Sequence, residues 1–225
     1  MQDLIKQEKF EIEVLDRLKS GRFLDSLIFT GGTMLRLCHG LNRFSVDLDF
    51  WLYKDIYIED YFIKLKRFLS LNYTLKDAEN KFHTMIFEIK SRDYPRSLKI
   101  EIRKKVAKYK TEMTIAYSKH SNLQVLVRCL SLDEIMRSKI ETFLDRREIR
   151  DLFDIEFLIR RGIEIRASSE EIVKLLDAIS SLQKKDYSVK LGSILEPEQR
   201  RYYVSENFKF LVSKLKDRLK EVRLN

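Results

Sequence analysis

The feature that most constrains the fold of this chain lies near its N-terminus. A short apolar run, Leu27 to Thr30, stops at Gly31-Gly32-Thr33, and a second run follows, Arg43-Phe44-Ser45-Val46-Asp47-Leu48-Asp49-Phe50. In the second run polar and apolar residues alternate, which is the period of a half-buried strand. On a strand, Ser45, Asp47 and Asp49 share one face, and Val46, Leu48 and Phe50 share the other. The chain must therefore bury one face of this strand while leaving two carboxylates side by side on the opposite face. Two such carboxylates repel each other unless a cation sits between them, and a hard, oxygen-seeking ion such as Mg²⁺ suits that place. The Gly-Gly pair lets a phosphate-bearing ligand approach the backbone closely, and the start of the next helix favours its negative charge. These are the parts of a metal-dependent nucleotidyl-transfer site.

The rest of the pattern divides the chain in two. In the first part, helical periodicity over residues 3–19 precedes the Leu27–Thr30 strand. A short helix over Thr33–Leu41, a strand over Ser45–Leu52 and an amphipathic helix over Tyr57–Leu71 follow. Strand-like runs come next at Tyr73–Ala78, Lys81–Ile89, Leu98–Arg103 and Leu123–Cys129. From Ser131 onward everything reads as helix. Ser131-Leu132-Asp133-Glu134 has the form of a capping box, and further helices are expected over 150–161, 168–184 and 198–222. The expected architecture is α+β: a catalytic core with a short mixed sheet over residues 1–130, then a helical region over 131–225.

Composition adds limits. Hydrophobic residues make up 44% of the chain, enough for a core, while 6 Gly and 2 Pro leave few tight turns. No run reaches the roughly 18–20 apolar residues of a membrane span, and no signal-peptide pattern opens the chain, so no membrane partner and a cytoplasmic location are expected. Cys38 and Cys129 sit in apolar contexts and read as buried free thiols. The net charge of +9 predicts a surface that attracts a polyanion. Arg103, Lys104, Lys105, Lys108 and Lys110 fall in a stretch without an acid. Arg200 to Arg223 holds eight basic residues against three acidic ones.

Three more carboxylates and a lysine could join the Asp47/Asp49 pair. Glu101 lies on the polar face of the Leu98–Arg103 strand, where a third carboxylate would help hold two ions. Lys139 falls inside the apolar stripe formed by Ile135, Met136, Ile140 and Phe143, and a buried lysine needs an anionic partner. A phosphate would supply one, and removing Lys139 is then expected to cost activity with little loss of folding. Asp151 and Asp154 bring charge into another apolar helix. The three histidines form no ligand cluster.

Taken in order, Gly-Gly-Thr-Met-Leu-Arg-Leu, Arg-Phe-Ser-Val-Asp-Leu-Asp-Phe, Lys139 in a helix, and Arg-Asp-Leu-Phe-Asp-Ile-Glu-Phe-Leu resemble the AbiEii/AbiGii toxin family of the DNA polymerase β-like nucleotidyltransferases. The resemblance spans roughly residues 27–160. It implies a nucleotidyltransferase core joined to a helical region that completes the active site. It also implies an NTP substrate, Mg²⁺ or Mn²⁺, a cognate antitoxin and a role in phage defence. Transfer to the 3′ end of tRNA, blocking translation, is a further implication. Carried over by motif, Gly31, Gly32, Thr33 and Ser45 would hold the triphosphate, and Asp47 and Asp49 would bind metal. Lys139 would contact phosphate, and Asp151 or Asp154 would complete a second cluster. A third metal ligand at Glu101 is less secure, since the superfamily often places Asp there. Two rivals share these residues: a small-molecule nucleotidyltransferase of the antibiotic-modifying type, and a non-catalytic module that only binds RNA or a partner.

Overall fold

The computed structural model of the chain describes residues 1–224, with side chains through Val222; Arg223, counted above in the basic C-terminal segment, lies outside the described side chains. The chain divides into two units, Met1–Leu130 and Ser131–Asn225. The first unit is built on a seven-stranded mixed sheet in the order β3-β4-β5-β2-β1-β7-β6. Its strands are β1 (Leu27–Thr30), β2 (Asp47–Leu52), β3 (Thr74–Asn80), β4 (Thr84–Lys90), β5 (Leu98–Arg103), β6 (Thr111–Tyr117) and β7 (Gln124–Leu130). β1 runs antiparallel to β2 and parallel to β7, and β2 runs parallel to β5. Three helices accompany the sheet: α1 (Gln2–Ser20), α2 (Gly31–His39) and α3 (Ile58–Asn72).

Period-two alternation assigns the two faces. Leu48, Phe50 and Leu52 of β2, Met85, Phe87 and Ile89 of β4, and Leu98, Ile100 and Ile102 of β5 are all buried. The residues between them, Asp47, Asp49 and Trp51 on β2 and Lys99 and Glu101 on β5, are only half-buried. The apolar face carries the core, including the Phe29–Phe50 ring pair at 5.2 Å, and the polar face is left for chemistry. Both thiols are free; Cys129 is buried as its context suggests, while Cys38 is only half-buried, with Cys129 Sγ 3.5 Å from Cys38 Sγ.

β6 was not foreseen, although Met113, Ile115 and Tyr117 alternate with Glu112, Thr114 and Ala116 at the period of a strand. The larger apolar set faces outward and is about half exposed, while Ala116 points into the core.

The second unit is helical. It comprises α4 (Leu132–Arg146), α5 (Ile149–Arg160), α6 (Ser169–Ser180), α7 (Pro197–Glu206) and α8 (Lys209–Leu224), with a π-helical turn at Asp186–Leu191 and a 3₁₀ turn at Gly192–Ile194. Two expectations fail here. Ser131 forms no capping bond, and its hydroxyl is buried with no hydrogen-bond partner. The capping box is instead at α6, where Ser168 Oγ accepts from the Glu171 N–H and Glu171 accepts from the Ser168 N–H. The helix expected over 198–222 is two helices, broken at Asn207, whose φ of 53° and ψ of −140° end α7. Apolar residues continue at helical spacing through the break, so periodicity alone joins what the backbone separates.

Candidate active site

In the first unit the turn after β1 and the start of β2 meet. Gly31 begins α2 with φ 77°, in the left-handed region that favours glycine. A Cβ on Gly31 would overlap the Asp49 carboxylate, and one on Gly32 would lie 2.5 Å from Arg43 Nη2 and 2.9 Å from Ser45 Oγ. Gly31 is thus required by its backbone conformation, a side chain at Gly32 would have to displace Arg43 and Ser45, and the carboxylate, hydroxyl and guanidinium all lie against the backbone that opens α2. Thr33 is buried, and its Oγ1 donates to the Asp47 carbonyl oxygen at 2.6 Å, tying the helix start to the carboxylate strand. Arg43 is buried too and donates from Nη1 to the Phe44 carbonyl at 3.0 Å.

The strand register supplies the rest. Asp49 pairs with Thr30 across β1 and with Glu101 across β5, and Asp47 stands opposite Lys99. Asp47, Asp49 and Glu101 are thus on one face of adjacent strands. Glu101 is already engaged, since Lys99 Nζ donates to its Oε2 at 2.6 Å. That bond, and then, against partial burial, the charges of Glu101, Asp47 and Asp49, hold the Lys99 ammonium above the ordinary lysine range. The field at this face is strongly negative.

Among the described residues no three His, Cys, Asp or Glu side chains form a ready metal cage. The donor set nonetheless fits Mg²⁺ or Mn²⁺. Such an ion takes one or two carboxylates and fills its remaining positions with water and substrate phosphates. Asp47 and Asp49 supply the carboxylates, and the missing Cβ of Gly31 lets the Asp49 carboxylate lie against the backbone that opens α2.

The second unit brings Lys139, Asp151 and Asp154 together. Asp151 and Asp154 sit one helical turn apart on α5, fully buried. Lys139 Nζ on α4 lies 2.6 Å from Asp154 Oδ2 and 3.1 Å from Asp151 Oδ1. Arg146 clasps Asp151 with two bonds of 2.8 Å. Lys139 was expected to seek an anion, and the fold provides two. This changes the expectation for its removal, because Lys139→Ala would take away the ammonium that bridges two fully buried carboxylates.

Two contributors had no assigned role in the sequence reading. Arg43 was visible as part of the motif preceding β2, but only the fold shows it packed against Gly32. Lys99 reads as the ordinary polar half of an alternating strand, and only the β2–β5 register sets it against Asp47.

The fold is shared with two solved structures from Helicobacter pylori. One is JHP933, 23% identical, with 96% of each chain covered and a TM-score of 0.56. The other is a provisionally assigned nucleotidyltransferase, 24% identical, with 92% of this chain and 96% of that chain covered and a TM-score of 0.56. These likenesses define the chain as having a nucleotidyltransferase-type fold. Residues 13–216 match the AbiEii family, described as nucleotidyl transferase AbiEii toxin of a type IV toxin–antitoxin system, and the chain belongs to that family. No curated protein sequence matches it.

Proposed function

We propose that the chain is a metal-dependent transferase toxin that moves an NMP from an NTP to an RNA acceptor, the 3′ end of tRNA being the acceptor that family resemblance implies. The observation that carries this reading is the Asp47/Asp49 face, with the Asp49 carboxylate set directly against the Gly31 backbone that opens α2.

In the proposed reaction the acceptor hydroxyl attacks the α-phosphorus. A new P–O bond forms, the α–β bridging bond breaks, pyrophosphate leaves and the hydroxyl proton passes to solvent. Asp47 and Asp49 hold the divalent ion, which when bound lowers the pKa of the hydroxyl and offsets triphosphate charge. The backbone amides at Gly31 and Gly32 and the Ser45 hydroxyl hold phosphate oxygens. Thr33 positions this turn through its bond to the Asp47 carbonyl. Glu101 would join the metal only against the competition of Lys99, whose ammonium already holds its Oε2. For Lys139 we propose the phosphate contact that the family implies, with Asp151 and Asp154 fixing its ammonium.

The test is to incubate the protein with total RNA, Mg²⁺ and each labelled NTP, alongside Asp49→Asn. Label in the tRNA fraction, lost in the variant, is the expected result. Unlabelled RNA together with modification of a small hydroxylated compound such as an aminoglycoside would overturn it.

A further inference from the structure

On the same sheet face as Asp47 and Asp49, the next residue along β2 is Trp51, opposite Arg103 on β5. Two residues of strand separate Trp51 from Asp49, about 7 Å. The Trp51 side chain lies on the polar face of the sheet and is half-buried. Tyr109 reaches over from the segment after β5, its ring 4.5 Å from the indole at 52°, and the Arg103 guanidinium lies 5.6 Å from the indole centroid.

This aromatic group stands at the most basic stretch of the first unit. Arg103, Lys104, Lys105, Lys108 and Lys110 run without an acid, and Arg103, Lys105, Lys108 and Lys110 are exposed. The stretch is tied to the β3–β4 hairpin tip, because the Lys104 N–H donates to the His83 carbonyl at 2.9 Å and its ammonium donates to the Lys81 carbonyl. At that tip Phe82 is 89% exposed. Flat rings interleaved with cations are what a single-stranded polynucleotide recognises: the phosphates meet the charges and the bases stack on the rings. A triphosphate alone would need the charges but not an exposed ring at the hairpin tip beside the half-buried Trp51 and Tyr109.

We infer that Trp51, with Tyr109 and Arg103, seats the base next to the reacting end of the RNA acceptor, and that Phe82 takes a base further along the strand. The inference rests on the reading of RNA as acceptor. It adds the residues that position RNA, which lie apart from those that would hold the metal and triphosphate.

Trp51 is the only tryptophan in the chain, so its emission reports this seat directly. The probe is a short single-stranded oligoribonucleotide, compared with an abasic version of equal length and with ATP alone. Binding is followed separately by fluorescence polarisation of end-labelled RNA. Saturable quenching of Trp51 by the base-bearing strand is expected, with weak quenching by the abasic strand and by ATP. In the transfer assay Trp51→Leu, which keeps apolar bulk but not the ring, should raise the KM for RNA roughly tenfold or more. It should change the KM for NTP little, and Trp51→Phe should restore most of the loss. RNA that binds by polarisation without quenching, a Trp51→Leu enzyme with the normal KM for RNA, or quenching by ATP equal to that by RNA would each overturn the inference. The parent reading fails separately, when no RNA is labelled by the wild-type protein. Quenching by the base-bearing strand would still support the seat in that case.

Discussion

Asp49 and Glu101 face each other across the parallel β2–β5 pair, and the acid on β5 is held by its own neighbour Lys99 while the acid on β2 lies against Gly31. Two carboxylates in equivalent places thus have different surroundings. Asp49→Asn is expected to abolish transfer, and Glu101→Gln to reduce it by much less, with both proteins keeping the wild-type circular dichroism spectrum. EDTA should reproduce the Asp49→Asn result. Full activity in EDTA would remove the metal from the mechanism.

Lys99→Met tests the same relationship from the other side. It removes the cation that competes for Glu101, so the mutant should need less Mg²⁺ for half-maximal activity if Glu101 can take part in metal binding. An unchanged Mg²⁺ dependence would confine Glu101 to its ion pair.

In the second unit, Lys139→Ala should destabilise the protein by about 3–5 kcal/mol, the usual cost of leaving buried carboxylates without their partner. Urea denaturation would measure this. Asp154→Asn in the same chain should recover part of the loss, since one of the stranded charges is then gone.

Glu11 gives a pH prediction. It is fully buried on α1, and neither carboxylate oxygen has a hydrogen-bond partner among the described residues. Burial, then the charge of Glu8, with Asp47 adding and Arg36 opposing, holds its carboxyl well above the usual range. The folded protein therefore keeps this proton where the unfolded chain loses it. Stability falls as pH rises from the unfolded glutamate pKa towards the folded one. Glu11→Gln should raise Tm at pH 8 and leave it nearly unchanged at pH 4. A larger gain at pH 4 would contradict the assignment.

The basic strap makes a salt prediction. Each phosphate neutralised by a lysine releases counterions, so RNA binding should weaken steeply with salt. Lys105→Glu with Lys108→Glu should lower affinity for all RNA sequences and flatten that dependence, while NTP binding changes little. A salt slope unchanged from wild type would place the RNA surface elsewhere.

The sheet and the carboxylate face were legible because they rest on local rules. Alternation in Ser45–Leu52 and Leu98–Arg103 assigned both faces correctly, and Gly31-Gly32 marked the turn. What sequence could not supply was pairing. Nothing local says that Asp49 and Glu101 share a register, or that Lys99 stands opposite Asp47. The same limit hid the partners of Lys139, since Asp151 and Asp154 meet it only after α4 and α5 fold back on each other. β6 carries the strand period in Met113, Ile115 and Tyr117, but alternation does not say which face turns to the core, and here it is the face of the small Ala116. The break at Asn207 escaped because a positive φ at asparagine leaves no mark in hydrophobic spacing.

The Gly31–Asp49 contact carries a consequence for descent. Any side chain at position 31 would collide with the carboxylate and would also be forced into a left-handed backbone. Position 49, by contrast, could shrink without harming position 31. Position 31 is thus held twice, and only one of its two constraints disappears with the acid. The left-handed backbone remains after position 49 has changed. A descendant that has lost the acid is therefore expected to keep glycine at 31, as a trace of the enzyme it came from.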